Sequence, residues 1–447
     1  MMRRFRSYAA ITGACSILVG QAPVARAASS IGNPMAGNLG FGTIVEQNAV
    51  LGTTETEGTV AVGGNLAFGP GYNVGLHTAG SYTAPGDSRP TALLVGGHLD
   101  AAGSDPNGVL RMLNQSYVKI GDLTGFHALD TDSNGASVFT RVVPATGGYD
   151  STPRIELTTA QPVGSVGPAT MPIDFPALFA AYRERAAAIA ACPENVVLDD
   201  AQGRPLPQQS GFAPGTSGYI TLTPGRTNVL KLSASDLNNL SELSFRTQPD
   251  ASTPFVVVVS GQVGDWHTPN TPGVSGPQAP YMLWDFPDAT TITITGGDTV
   301  EGTIYAPSAT LTDLDPSNIE GDIAVKSLVA GPRTGPGTWT NAGEIHNFPF
   351  AADLDCQEVG PTPTTSSPTT TPSTSPSTTP STTPLHPTSP HHPPTTGPTK
   401  PSASQLPQTG GQLGSLTWLA AVGGLLIAGG AALLGLRRRL PRGRHMA

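Results

Sequence analysis

The chain has 447 residues, and its 32 Asp and Glu residues outnumber its 23 Lys and Arg residues, which gives a net charge of −9 at pH 7. Residues 29–356 are more acidic still, with 13 basic against 31 acidic residues and a net charge of −18. Because binding to phosphate groups needs positive charge, this composition argues against a nucleic-acid partner.

The N-terminus has the layout of a secretory signal. Three arginines within the first six residues precede a mostly apolar stretch, 8–20, and alanines stand at both positions that a signal peptidase reads. We therefore predict a signal peptide over 1–27 with cleavage after Ala27. Cys15 leaves a lipoprotein as the alternative, although the residues before it lack the usual leucine.

Residues 28–356 are expected to form one exported domain of mainly β structure. Short β-branched stretches, such as 255–259 and 290–295, are separated by Gly, Pro, Asn and Asp. One segment differs, because Asp174 is a suitable N-cap and is followed by an alanine-rich run with apolar residues near helical spacing. This pattern predicts a helix over 174–191.

A glycine-containing motif recurs along the exported domain. EGTVAV at 57–62 is echoed by EGTIYA at 301–306 and by EGDIAV at 320–325, and VGGNL at 62–66 by VGGHL at 95–99. A glycine turn before a short apolar strand, repeated at about 20 residues, is typical of a parallel β-helix. We predict a parallel β-helix-like solenoid with the helix packed alongside and with the N- and C-terminal segments stacked together. A Greek-key sandwich is the alternative.

These motifs resemble the choice-of-anchor A family of bacterial surface proteins. The resemblance rests on GTVAVGGN at 58–65, on the helix that begins at Asp174 and on VEGTIYAPSA at 300–309, and it covers roughly 33–350. It implies an adhesive module whose strand-turn pattern is similar to that of ice-binding β-helices. The family brings no catalytic residues.

Two cysteines remain in the exported domain, Cys192 and Cys356. In an oxidising compartment such a pair favours a disulfide. Closing a loop of that length stabilises a fold by at most roughly 5 kcal/mol. Two free thiols are the alternative.

One loop has the oxygen-ligand spacing of a calcium site. Asp130, Asp132 and Asn134 alternate before Gly135, which makes calcium the candidate cofactor. An EF-hand is not expected, because Arg141 stands where the bidentate Glu belongs. The alternative is a turn rich in Asx residues.

No catalytic motif is evident. The sequence has no nucleophile elbow, zinc-binding helix or nucleotide loop, so we do not expect an enzyme. The Asp265-Trp266-His267 segment, with Trp284 further on, suits a loop that contacts sugar or protein, and burial of the tryptophans is the favoured alternative. The Thr-x-Thr rank at 291–295 adds ice as a minor candidate ligand.

The C-terminal region predicts a stalk and a sorting signal. Residues 357–405 are dominated by Pro, Thr and Ser and are expected to be disordered. A pentapeptide follows, then the charge-free run 415–436, which is long enough for a transmembrane helix, and then three arginines. The pentapeptide residues are Leu406, Pro407, Gln408, Thr409 and Gly410.

This order over 406–447 is typical of the sorting signal that a sortase reads in Gram-positive surface proteins. The sortase thiol attacks the Thr409 carbonyl, Gly410 leaves, and Thr409 is joined to peptidoglycan. A single-pass membrane anchor is the alternative. The predicted function is adhesion from the cell wall to an unknown extracellular protein or glycan. A structural wall component and a polysaccharide-acting enzyme are the alternatives.

Overall fold

The computed structural model describes residues 29–207 and 211–356, which all belong to one compact unit. The predicted signal peptide, the predicted stalk and the sorting signal lie outside the described residues. Among the residues that are described, no helix is long and apolar enough to cross a membrane. This part of the chain is mainly β, as predicted, with three α-helices and one 3-10 turn.

Twenty-eight strands, numbered β1 to β28 in chain order, are found within the described residues: Ser29–Gly32, Thr43–Val45, Ala49–Leu51, Glu55–Thr56, Val60–Val62, Leu66–Phe68, Tyr72–Val74, Thr91–His98, Val109–Met112, Tyr117–Asp122, Phe126–Thr131, Ser137–Pro144, Arg154–Leu157, Thr216–Ile220, Asn228–Ser233, Leu240–Phe245, Phe255–Ser260, Gly264–Thr268, Met282–Asp285, Thr291–Gly297, Val300–Glu301, Thr303–Asp313, Ile319–Glu320, Ile323–Ala330, Arg333–Gly335, Thr338–Trp339, Ile345–His346 and Leu354–Cys356. The helices are α1 (Val163–Val166), α2 (Phe175–Ala190) and α3 (Ala234–Asn239), and the 3-10 turn is Ala279–Tyr281.

The largest sheet is built from parallel pairs. Its main path runs β10-β8-β5-β2-β24-β22-β19-β17-β15, and each neighbouring pair on this path is parallel. Three of these strands, β5, β22 and β24, carry the copies of the repeated motif. Because β2 lies between β5 and β24, segments from the two ends of the domain stack as predicted. The parallel pairing contradicts the Greek-key alternative, whose strands are antiparallel.

A second sheet runs β11-β12-β13-β9-β7-β4-β27-β23-β21. Its pairs are parallel except for those that join β11, β12 and β13. Strand β27, from late in the chain, lies between β4 and β23, so this sheet also joins the two ends of the domain. Apolar side chains from both sheets form one buried core.

Helix α2 begins where the sequence predicted. The Asp174 side chain accepts a hydrogen bond from the Ala177 amide at 3.1 Å, which caps the first turn. Phe179 and Tyr182 are fully buried against the outer surface of the largest sheet. The Tyr182 and Tyr305 rings lie 5.5 Å apart, so α2 is fixed over the strands that carry the repeated motif.

Side-chain amides cover both ends of the main path. At β10, Gln161 accepts from the Val118 amide at 2.9 Å and donates to the Val118 carbonyl at 2.8 Å. At β15, Asn195 accepts from the Val229 amide at 2.9 Å. These bonds satisfy backbone groups that an end strand would otherwise leave unpaired.

The structure joins Cys192 and Cys356 by a disulfide, with their Cα atoms 5.2 Å apart. Cys192 follows α2, and Cys356 ends β28, which pairs antiparallel with β1. The bond therefore ties the last described strand to the region of the helix.

Candidate interaction surface

A row of hydroxyl side chains points outward from β20, β22 and β24. On β20, Ile292 and Ile294 are buried whereas Thr291 is exposed and Thr293 is half-buried. This alternation follows from the two-residue period of a strand. We call the outward set the hydroxyl face; it consists of Thr291, Thr293, Thr310, Thr312 and Ser327.

The members of the hydroxyl face are in register. Thr291 is paired with Thr310, which is paired with Ser327, and Thr293 is paired with Thr312. Neighbouring strands lie about 4.8 Å apart, and alternate residues of one strand lie about 6.6 Å apart. The hydroxyls therefore form a two-dimensional array with fixed spacing.

These hydroxyls are available to a ligand. None of the five side chains makes a hydrogen bond to another described residue, although each has a donor and acceptor group. Their positions are set by the parallel backbone ladder and not by side-chain contacts. The face is thus both ordered and unoccupied by internal bonds.

Aromatic residues support β18 and β20 from beneath. Trp266 and Trp284 are almost fully buried, with ring centroids 5.5 Å apart, and Phe286 lies 5.2 Å from Trp266. The favoured alternative for the tryptophans, burial, is confirmed, and an aromatic contact loop is wrong here. The segment is strand β18, so Trp266 points inward while Asp265 and His267 point to solvent.

A second cluster contains the glutamates that stand first in the copies of the repeated motif. Glu301 is paired with Glu320, and Glu320 is paired with His346. The His346 Nδ1 lies 2.8 Å from a Glu320 oxygen, and its Nε2 lies 3.1 Å from Glu344 and 3.8 Å from Glu57. We call Glu57, His346, Glu320 and Glu301 the glutamate–histidine rank.

Burial changes the protonation of this rank. Glu301 is 8% exposed, and its Oε2 has no hydrogen-bond partner among the described residues. Burial, and then the charges of Glu320 and Asp298, raise the pKa of Glu301 to about 7. Burial opposes charge on His346, but the hydrogen bond with Glu344 and the nearby glutamates outweigh it, so the pKa of His346 is raised.

The predicted calcium loop is the turn of a β-hairpin. Asp130 lies in β11, one residue before its end, and Asp132 Oδ1 accepts from the amides of Asn134 at 2.8 Å and Ala136 at 3.0 Å. These bonds hold the pKa of Asp132 below its usual value. Within residues 29–207 and 211–356, no three His, Cys, Asp or Glu side chains are grouped as metal ligands. The geometry is that of an Asx turn, and calcium binding stays a prediction.

Comparison with known families decides the broad identity of the chain. The model of the ice-binding-like adhesive domain matches residues 34–337. The chain belongs to this family. The LPXTG cell wall anchor motif matches residues 398–439, which contain the predicted pentapeptide. The chain is therefore a secreted surface protein of a Gram-positive bacterium, and its anchor implies sortase processing and covalent attachment to peptidoglycan.

Comparisons with individual proteins add little. No curated protein matches the chain. An ice-binding protein from an Antarctic biological consortium is 11% identical, with 76% of this chain and 97% of that chain covered and a TM-score of 0.24. An ice-binding protein from the Antarctic ascomycete Antarctomyces psychrotrophicus is 12% identical, with 73% and 99% covered and a TM-score of 0.19. Agreement at this level supports no argument about function.

The sequence patterns did not predict the second strand of the hydroxyl face or the glutamate–histidine rank. The Thr310-Leu311-Thr312 segment repeats the Thr-x-Thr spacing of β20 and was a visible signal. The glutamate–histidine rank was signalled only in part, because Glu57, Glu301 and Glu320 open the three motif copies whereas His346 belongs to none of them.

Proposed function

We propose that this wall-anchored protein is an adhesin that binds an extended extracellular ligand through the hydroxyl face. The single observation that carries the proposal is the register of Thr291 with Thr310 and of Thr293 with Thr312. A repeated array of free hydroxyls suits a ligand that itself presents hydrogen-bonding groups at regular intervals, such as a glycan chain or an extended protein.

The fold of the domain and its link to the cell wall suit this function. The domain is a parallel β-helix-like solenoid, and residues 357–405 link it in the chain to Thr409, which is joined to peptidoglycan. A solenoid stacks its strands at a constant spacing, so a flat and ordered binding surface is a direct product of such a fold. The role is binding and not catalysis.

The first test is a binding screen. Protein released from isolated cell walls by a muramidase is applied to glycan and matrix-protein arrays, with calcium and with chelator. We expect saturable binding that falls at least tenfold in Thr293→Val with Thr312→Val. Thr146→Val, at an exposed turn, is the matched control. If the double variant binds with the same affinity as the wild-type protein, the hydroxyl face is not the binding site. No binding by folded protein would favour a structural wall component.

Ice is a second candidate ligand, favoured by the regular spacing of the hydroxyl face and by the family to which the chain belongs. Incorporation of the released protein into a slowly growing ice hemisphere tests it. If the ice takes up no more of the wild-type protein than of the Thr293→Lys variant, ice is not a ligand.

A further inference from the structure

A polar pocket lies beside the hydroxyl face, where β18 and β20 end. It is an open pocket of about 430 Å³, a volume within the range of small-ligand sites. We define the polar pocket by its five exposed polar side chains, and a sixth polar lining residue, Thr268, is buried. The five are Asn238, Ser241, His267, Asn270 and Asp298.

Two glycines of β20 lie opposite His267 and Thr268 at the edge of the pocket. Gly296 is the cross-strand partner of His267, so no side chain from β20 lies against the imidazole. Gly297 is the partner of Thr268, and a Cβ at Gly297 would lie 2.3 Å from the Thr268 carbonyl oxygen. The register shifts between Trp266 and His267, so Thr295 bulges just before this gap.

Some of the polar groups are fixed and others are free. Asn238 donates to the Asp265 carbonyl at 2.7 Å and accepts from the His267 amide at 3.2 Å, and Ser241 donates to a carbonyl of the neighbouring turn. The Asn270 side chain and the His267 ring bond to no described residue. Asp298 uses Oδ1 for the Thr299 amide and leaves its other oxygen without a described partner.

The chemistry of the free groups defines the ligand class. A carboxylate, an amide and an imidazole together offer donors and acceptors in the arrangement that sugar hydroxyls need. Among the described residues, the lining contains no Lys or Arg and one acid, so an anionic ligand is disfavoured. Leu240 is the apolar side chain of the lining, and no Phe, Tyr or Trp belongs to it, which disfavours a nucleobase or an aromatic peptide side chain.

We propose that the polar pocket binds one neutral sugar ring of a glycan whose remaining length lies along the hydroxyl face. This inference rests on the proposed adhesive function and names its ligand class. His267, Asn270 and Asp298 are the side chains that would contact the sugar hydroxyls, and the Thr295 bulge lies between the pocket and Thr293.

The test measures binding of small sugars to protein released from cell walls, by saturation-transfer NMR and calorimetry. The probes are N-acetylglucosamine oligomers, which represent wall glycans, and galactose- and mannose-terminated oligosaccharides, which represent host or matrix glycans. Sialylated oligosaccharides are the anionic controls. We expect saturable binding of one neutral class that weakens about tenfold in Asn270→Ala and in His267→Ala, because each loses a hydrogen bond of roughly 1.4 kcal/mol.

The variants separate failure of the pocket from failure of the hydroxyl face. Thr146→Val, at an exposed turn, should leave the affinity for the neutral sugar unchanged, and Thr293→Val should weaken the binding of a long glycan. Equal affinity for the neutral sugar in wild type, Asn270→Ala and His267→Ala overturns the pocket, even if long glycans still need Thr293. Preference for the sialylated control, or no sugar binding by folded wild-type protein, also overturns it.

Discussion

Replacing Glu301 with Gln should stabilise the protein at alkaline pH and leave it nearly unchanged at acidic pH. The Glu301 carboxyl is buried beside Glu320, and its pKa is raised from 4.5 to about 7. The pKa of Glu301 is higher in the folded protein than in the unfolded chain. Protonated Glu301 therefore stabilises the fold fully below about pH 4.5, and this stabilisation is lost as the pH rises to about 7.

The size of the effect follows from that shift. Each pKa unit corresponds to 1.36 kcal/mol, so the difference between pH 4.5 and pH 8 is at most about 3 kcal/mol. The glutamate–histidine rank lies near the surface, so solvent screening reduces the expected stability difference to roughly 2 kcal/mol. Gln has the shape of the neutral acid and cannot ionise, so the variant should keep at alkaline pH the stability that the wild-type protein loses.

Chemical denaturation of the wall-released protein at pH 5 and pH 8 measures the effect. We expect Glu301→Gln to raise the free energy of unfolding by roughly 2 kcal/mol at pH 8 and by roughly 0.6 kcal/mol at pH 5. Glu184→Gln, at an exposed position of α2, should change neither value. A variant that is less stable than wild type at pH 8, or equally shifted at both pH values, would refute the reasoning.

Three further predictions concern the framework and the anchor. Asp174→Ala should lower the free energy of unfolding by about 1 kcal/mol, with Asp174→Asn close to wild type, as measured by denaturation. Trp284→Ala should cost about 3 to 5 kcal/mol, because it removes a buried ring that contacts Trp266; a cost below about 1 kcal/mol would contradict this packing. Thr409→Ala should move the protein from the muramidase-released wall fraction to the membrane fraction on immunoblots, and unchanged wall attachment would reject Thr409 as the joining residue.

The sequence predicted those parts of the fold that depend on local patterns. Asp174 and the spacing that follows it predicted α2, and the repeated motif predicted that segments from the two ends of the domain stack. In the structure this stacking places β2 between β5 and β24. The helix depends on residues that lie close together in sequence, and the stacking depends on copies of one pattern. The predicted strand at 290–295 was found as β20, shifted by one residue at its start.

The surface was harder to predict, because it depends on register between strands. The hydroxyl face requires that Thr291 pairs with Thr310, and a shift of one residue would point every threonine inward. The polar pocket depends on the bulge at Thr295, which no periodic pattern signals. His346 enters the glutamate–histidine rank only because β27 inserts between β4 and β23.

Adhesion of whole cells tests the central claim most directly. Cells that display the full chain with Thr293→Lys and Thr312→Lys are compared with wild type and with Thr146→Lys, on a surface coated with the array component that binds most strongly. At equal amounts of wall-anchored protein, we predict at least a tenfold loss of attached cells for the double variant alone. Wild-type adhesion by the double variant would contradict an adhesive role for the hydroxyl face.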